Sequence, residues 1–168
     1  PSQPEQYRYL ANLQASQEEY SESIATLNLF KGAAPAEFNF DDTQLLVTLL
    51  LKTDRQEEAY LAAESWATNS TKPKEIARLV NVLHYAGNPK LAMRLIDLYD
   101  QQVYELPELA AEKAYIYINL GENKEAYKLM RYLDEREKLP ESLVRDYMYL
   151  SLQNDNEGRA IELVDRLN

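Results

Sequence analysis

Leu120-Gly121-Glu122-Asn123-Lys124-Glu125-Ala126 is the stretch from which the rest of the chain can be read. Ala114, Tyr117 and Ile118 precede it at helical spacing, and Ala126, Met130 and Leu133 follow it in the same rhythm, so two amphipathic helices meet at a tight turn. The five-residue step from Gly121 to Ala126 recurs from Gly87 to Ala92 and from Asp155 to Ala160. Ala92, Ala126 and Ala160 therefore stand 34 residues apart. A fixed period of that size marks a helical repeat array, in which each hairpin buries its apolar face only by stacking on its neighbours.

Extended over all 168 residues, the period gives five units at about 4–39, 40–72, 73–106, 107–140 and 141–168. The expected fold is all-α: one right-handed solenoid of about five helical hairpins spanning 1–168, with no strands. Proline supplies the punctuation. Pro35 ends a helix, Pro73 and Pro107 open helices at a position where the missing N–H costs nothing, and Pro140 precedes the last unit. The final helix runs to Asn168 with Ile161, Val164 and Leu167 still apolar and no polar capping helix after it. The array is thus expected to continue, or to meet a partner, at that edge.

Composition narrows the function. Only four glycines and an apolar fraction of 45% suit helices, and no apolar run approaches the roughly 20 residues that cross a bilayer. Neither membrane insertion nor a secretory leader is read from the chain. A net charge of −10 argues against nucleic acid, whose phosphates require a basic surface. Without cysteine there are no disulfides, thiolate zinc sites or cysteine nucleophiles, which suits a cell-envelope compartment. His84 has no second histidine to share a metal and reads as a partly exposed helical residue. No phosphate-loop, zinc-protease or nucleophile-elbow motif occurs. The pairs Glu18-Glu19, Asp41-Asp42 and Glu57-Glu58 sit near helix starts, where acids complement the helix dipole. No enzyme, cofactor or metal site is expected.

The pattern resembles the tetratricopeptide repeat family over nearly the whole chain. Place 8 of the repeat holds Ala11, Val47, Val80, Ala114 and Met148, and place 20 holds Ser23, Ala59, Ala92, Ala126 and Ala160, small residues that let paired helices approach closely. Val47, Val80 and Met148 exceed the family's usual size and place 4 lacks its tryptophan, which marks a divergent branch. A Sel1-like array is the structural alternative, and its longer period fits less well.

The resemblance implies a binding groove on the first helices. Among thirteen tyrosines, Tyr7, Tyr99, Tyr117 and Tyr147 fall at core places, and Tyr60, Tyr127 and Tyr132 on second helices. Tyr115 and Tyr149 share place 9, which faces the groove, and Tyr85 at place 13 lies near that side. With Glu112 and Asp146 they would form an aromatic and acidic strip, suited to a protein segment with basic and apolar residues or to a cationic polysaccharide. One subset of the family grips a terminal carboxylate with a clamp of basic and amide residues. Arg8, Asn12, Lys74 and Arg78 match it, while Leu45 stands where the second amide belongs. Acidic, cysteine-free arrays of this kind also look like the periplasmic repeat regions of bacterial exopolysaccharide secretion scaffolds. That likeness implies a noncatalytic scaffold recruiting a polysaccharide-modifying enzyme, or an element touching carbohydrate directly.

Overall fold

The computed structural model describes residues 2–167, so Asn168, the expected end of the last helix, lies outside the described residues. These are all-helical, with no strand among them. The chain forms two compact units that divide between Leu95 and Ile96. The first contains α1 (Pro4–Ser16), α2 (Tyr20–Ala33), α3 (Phe40–Lys52), α4 (Gln56–Asn69), α5 (Pro73–Val82), a π-helical turn (Leu83–Gly87) and α6 (Pro89–Ile96), which ends at the boundary. The second contains a 3₁₀ turn (Asp97–Tyr99), α7 (Asp100–Val103), α8 (Pro107–Leu120), α9 (Asn123–Glu135), α10 (Glu141–Gln153) and α11 (Glu157–Arg166).

Consecutive helices pack in pairs: α1 with α2, α3 with α4, α8 with α9 and α10 with α11. Neighbouring pairs then touch through α2 on α3 and α9 on α10. Prolines begin α1, α5 and α8, and Asn39 and Asp42 close a reciprocal capping box at the start of α3. The five place-20 residues, Ser23, Ala59, Ala92, Ala126 and Ala160, are all buried. Ser23 uses its hydroxyl locally, donating to the Ala11 carbonyl at 2.7 Å and so tying place 20 of one helix to place 8 of the other. Met148 is the exception at place 8: it is half-buried, and Tyr147 beside it takes the interior.

The turns repeat more faithfully than the letters. Glu18, Asp54, Gly121 and Asp155 each adopt the left-handed conformation between the helices of a pair, with φ of 62°, 58°, 76° and 56°. In each case the next N–H reaches back five residues: Glu19 to Gln14, Arg55 to Leu50, Glu122 to Tyr117 and Asn156 to Ser151, all at 2.8–2.9 Å. Gly87 holds the same place and does something else. A Cβ on it would lie 3.1 Å from Leu51 Cδ2, so its small size allows close approach of the π turn to α3.

Two departures from the periodic expectation matter for function. His84, expected to be partly exposed, is buried in the π turn at 4% exposure, with its ring stacked on Tyr85. The second half of the 73–106 unit is broken into α6, a 3₁₀ turn and α7, although no proline or glycine interrupts Leu91–Val103. At the C-terminal edge Ile161 is 68% exposed, and Val164 and Leu167 are also exposed, whereas Met130 and Leu133, one period earlier, are buried.

Candidate partner-binding face

On α8, Glu112 and Tyr115 are three residues apart and share a face; on α10, Ser142, Asp146 and Tyr149 recur at steps of four and three and share another. A hydrogen bond between the Tyr115 hydroxyl and Ser142 Oγ joins the two faces. Tyr115 of α8 thereby meets the start of α10 within the second unit, and Asp146 and Tyr149 lie further along α10, about one and two turns past Ser142. Tyr115, Glu112 and Asp146 are half-buried, and Tyr149 is 59% exposed. Tyr115 is anchored at its polar end, and Tyr149 stands out into solvent. Tyr85 belongs to the first unit, exposed on the π turn against His84.

The acidic balance is uneven. Residues 96–168 carry sixteen acidic against nine basic side chains, and residues 1–95 carry twelve against nine. Most of the net negative charge therefore belongs to the second unit, which contains α8 and α10.

The clamp residues fare differently from one another. Arg8 spends its guanidinium inside the protein: Nε and Nη2 reach the two carboxylate oxygens of Asp42 at 2.9 Å each, Nη2 also reaches the Glu37 carbonyl at 3.0 Å, and Nη1 reaches Glu5 at 2.9 Å. A ligand carboxylate at Arg8 would have to displace Asp42, which is 3% exposed. Asn12 donates to the Arg8 carbonyl at 2.8 Å. Lys74 and Arg78 are exposed on α5 and take part in no ion pair among the described residues. No hydrogen bond joins either of them to Arg8 or Asn12.

Lys113 escaped sequence reasoning. It occupies place 7, where the other units carry Leu10, Leu46, Leu79 and Tyr147, and that contrast was the available signal. The side chain is buried, with Nζ 2.5 Å from Asp100 Oδ1 and 3.3 Å from Asp97 Oδ1. Burial alone would push the ammonium down in pKa. The hydrogen bond to Asp100 and the charges of Asp100, Asp97 and Tyr117 overcome it and raise the pKa above its ordinary value. The broken helix after Ile96 is what puts both aspartates in reach. Among the described residues no group of three or more His, Cys, Asp and Glu could hold a metal ion, and no helix is long and apolar enough to cross a membrane.

Comparison with known proteins gives no relative to set beside this geometry: no family model, curated protein or solved structure matches the chain.

Proposed function

We propose that this chain is a noncatalytic docking module, a right-handed array of about five tetratricopeptide-like hairpins that binds a protein segment carrying basic and apolar residues along the α8–α10 face. The observation that supports the reading is the Tyr115–Ser142 contact, which ties α8 to the start of α10, the helix that carries Asp146 and the exposed Tyr149. Tyrosines supply large contact area at low entropic cost, and acids around them select basic partners. The resemblance to secretion scaffolds suggests a setting, recruitment of an exopolysaccharide-modifying enzyme in the bacterial periplasm, with a cationic polysaccharide as a second ligand for the same strip.

The test is binding of immobilised short peptides that combine lysine or arginine with apolar residues. Tyr115→Ala with Tyr149→Ala should abolish binding while helical circular dichroism is kept, and Lys74→Ala with Arg78→Ala should not. The opposite pattern supports a carboxylate clamp, for which the exposed Lys74 and Arg78, in no ion pair among the described residues, speak and the engaged Arg8 does not. Unchanged binding in both variants removes the α8–α10 reading.

A further inference from the structure

The break after Ile96 leaves a cavity of about 280 Å³ on the second unit, lined by Asp100, Val103, Tyr104, Lys113, Tyr117 and Glu125, with Leu129 completing its floor. Successive helical residues are about 100° apart, so Lys113 and Tyr117 lie on the side of α8 turned away from Tyr115. The cavity is therefore separate from the proposed docking face.

Its chemistry is specific. Val103 and Leu129 are buried and apolar, and they form a floor. Tyr117 and the half-exposed Tyr104 form walls, with Tyr104 braced edge-on by Tyr132 at 5.1 Å between ring centroids. The carboxylates of Asp100 and Glu125 stand at the rim with 62% and 46% of their side chains exposed. Lys113 is not available to an anion, because its ammonium already sits between Asp97 and Asp100 and over the Tyr117 ring, 5.7 Å from its centroid, which leaves Tyr104 as the ring open to a cation. Asp100 and Asp97 use only Oδ1 toward Lys113, and Glu125 uses only Oε1 toward Lys128, so each carboxylate has a second oxygen not engaged by these lysines. A position that is apolar in the other units has thus become a pocket with an apolar base, aromatic sides and acceptors at its mouth.

That combination matches a long side chain with a cationic end. The methylene stem of lysine or arginine packs on Val103 and Leu129 while the charge meets the Glu125 and Asp100 carboxylates and the exposed Tyr104 ring together. The surplus of acid over base in residues 96–168 draws the same charge toward it. We infer that the Tyr104–Lys113–Glu125 cavity is a binding site for a lysine or arginine side chain presented by a partner protein. The inference holds whether or not the α8–α10 face binds a segment.

The probe is n-butylguanidinium chloride, the end of an arginine side chain, titrated into the whole chain at constant ionic strength and followed by ¹H–¹⁵N correlation spectra. The expected result is saturable shifts confined to the amides of 97–104, 113–117 and 125–129, with 1-butanol at equal concentration giving none. Glu125→Gln and Tyr104→Ala, both at the surface and outside the Lys113 pair, should each weaken the midpoint at least threefold while spectra elsewhere stay native. Tyr115→Ala with Tyr149→Ala should leave it unchanged, which keeps this test apart from that of the docking face. Linear shifts, shifts spread over all acidic surface, an equal response to butanol, or wild-type midpoints in both cavity variants would overturn the inference.

Discussion

Arg8 and Asp42 meet fork to fork across 34 residues of sequence, with both Nε and Nη2 at 2.9 Å from separate carboxylate oxygens. The bond pins α1 to the start of α3, where Asp42 also accepts the Asn39 N–H. Removing one partner of a buried pair leaves the other charge without compensation. Arg8→Met should destabilise the protein by about 2–3 kcal/mol, below the fully buried range because Arg8 retains 27% side-chain exposure. Glu5→Gln, at the exposed end of the same guanidinium, should be nearly silent. Urea denaturation of the two variants checks this, and equal midpoints would show that the pair contributes little.

Ala126 is fully buried where α9 meets α8. A leucine there should wedge the helices apart at a cost of about 1–3 kcal/mol. Lys124→Ala, exposed two residues earlier, should leave the thermal midpoint within a degree or so of wild type. Matching melting curves for the two would break the assigned repeat register.

The left-handed turns predict opposite signs for exchanges of similar size. Asp155 and Gly121 occupy equivalent places at φ 56° and 76°. Asp155→Gly relieves a conformation that costs an L-residue about 1–2 kcal/mol, less the entropy that glycine adds to the unfolded chain, for a net gain of about 0.5 kcal/mol. Gly121→Ala incurs that cost and should lose about 1 kcal/mol, although no neighbour lies within 4 Å of the added Cβ. Differential scanning calorimetry resolves both; a loss for each would mean that crowding, not backbone conformation, governs the turn.

His84 gives a pH dependence of definite sign. Burial lowers its pKa below the ordinary 6.5, so as pH falls through that value the unfolded chain binds more protons there than the folded protein does, until the folded pKa is also passed. Stability is present above pH 6.5 and declines below it, by at most about 1.4 kcal/mol per pH unit. His84→Gln should flatten the change between pH 7.5 and 5.5. An unchanged slope would assign the acid sensitivity to other groups.

The period and the proline positions were legible because they act locally: Pro73 and Pro107 begin α5 and α8, Pro140 stands just before α10, and the small residues at place 20 are buried. What the sequence hid depends on distant partners. Nothing near Asp97 signals a helix break, because the group held there, Lys113, lies sixteen residues away on α8. Arg8 looked free for a ligand because Asp42, its internal acceptor, sits on another helix. His84 looked exposed because its burial comes from a π turn that spacing does not encode. The equivalence of Tyr115 and Tyr149 was legible, since they stand one period apart, but the Ser142 bridge that anchors one ring was not.

The turn shared by Gly121 and Asp155 makes length itself a heritable variable. A recombination that removed residues 121–154 would join Leu120 directly to Asp155. Asp155 would fall into the left-handed position after α8, the Asn156 N–H would find the Tyr117 carbonyl five residues back, and the buried Ala160 would stand where the buried Ala126 now does in sequence after Ala114. In exchange, Arg159 would give up its ion pair with Asp134, and Asn156 its hydrogen bond to Tyr127. A gene for such a chain can shorten or lengthen by a whole hairpin with no new loop to invent, and selection then acts on how much surface the protein offers.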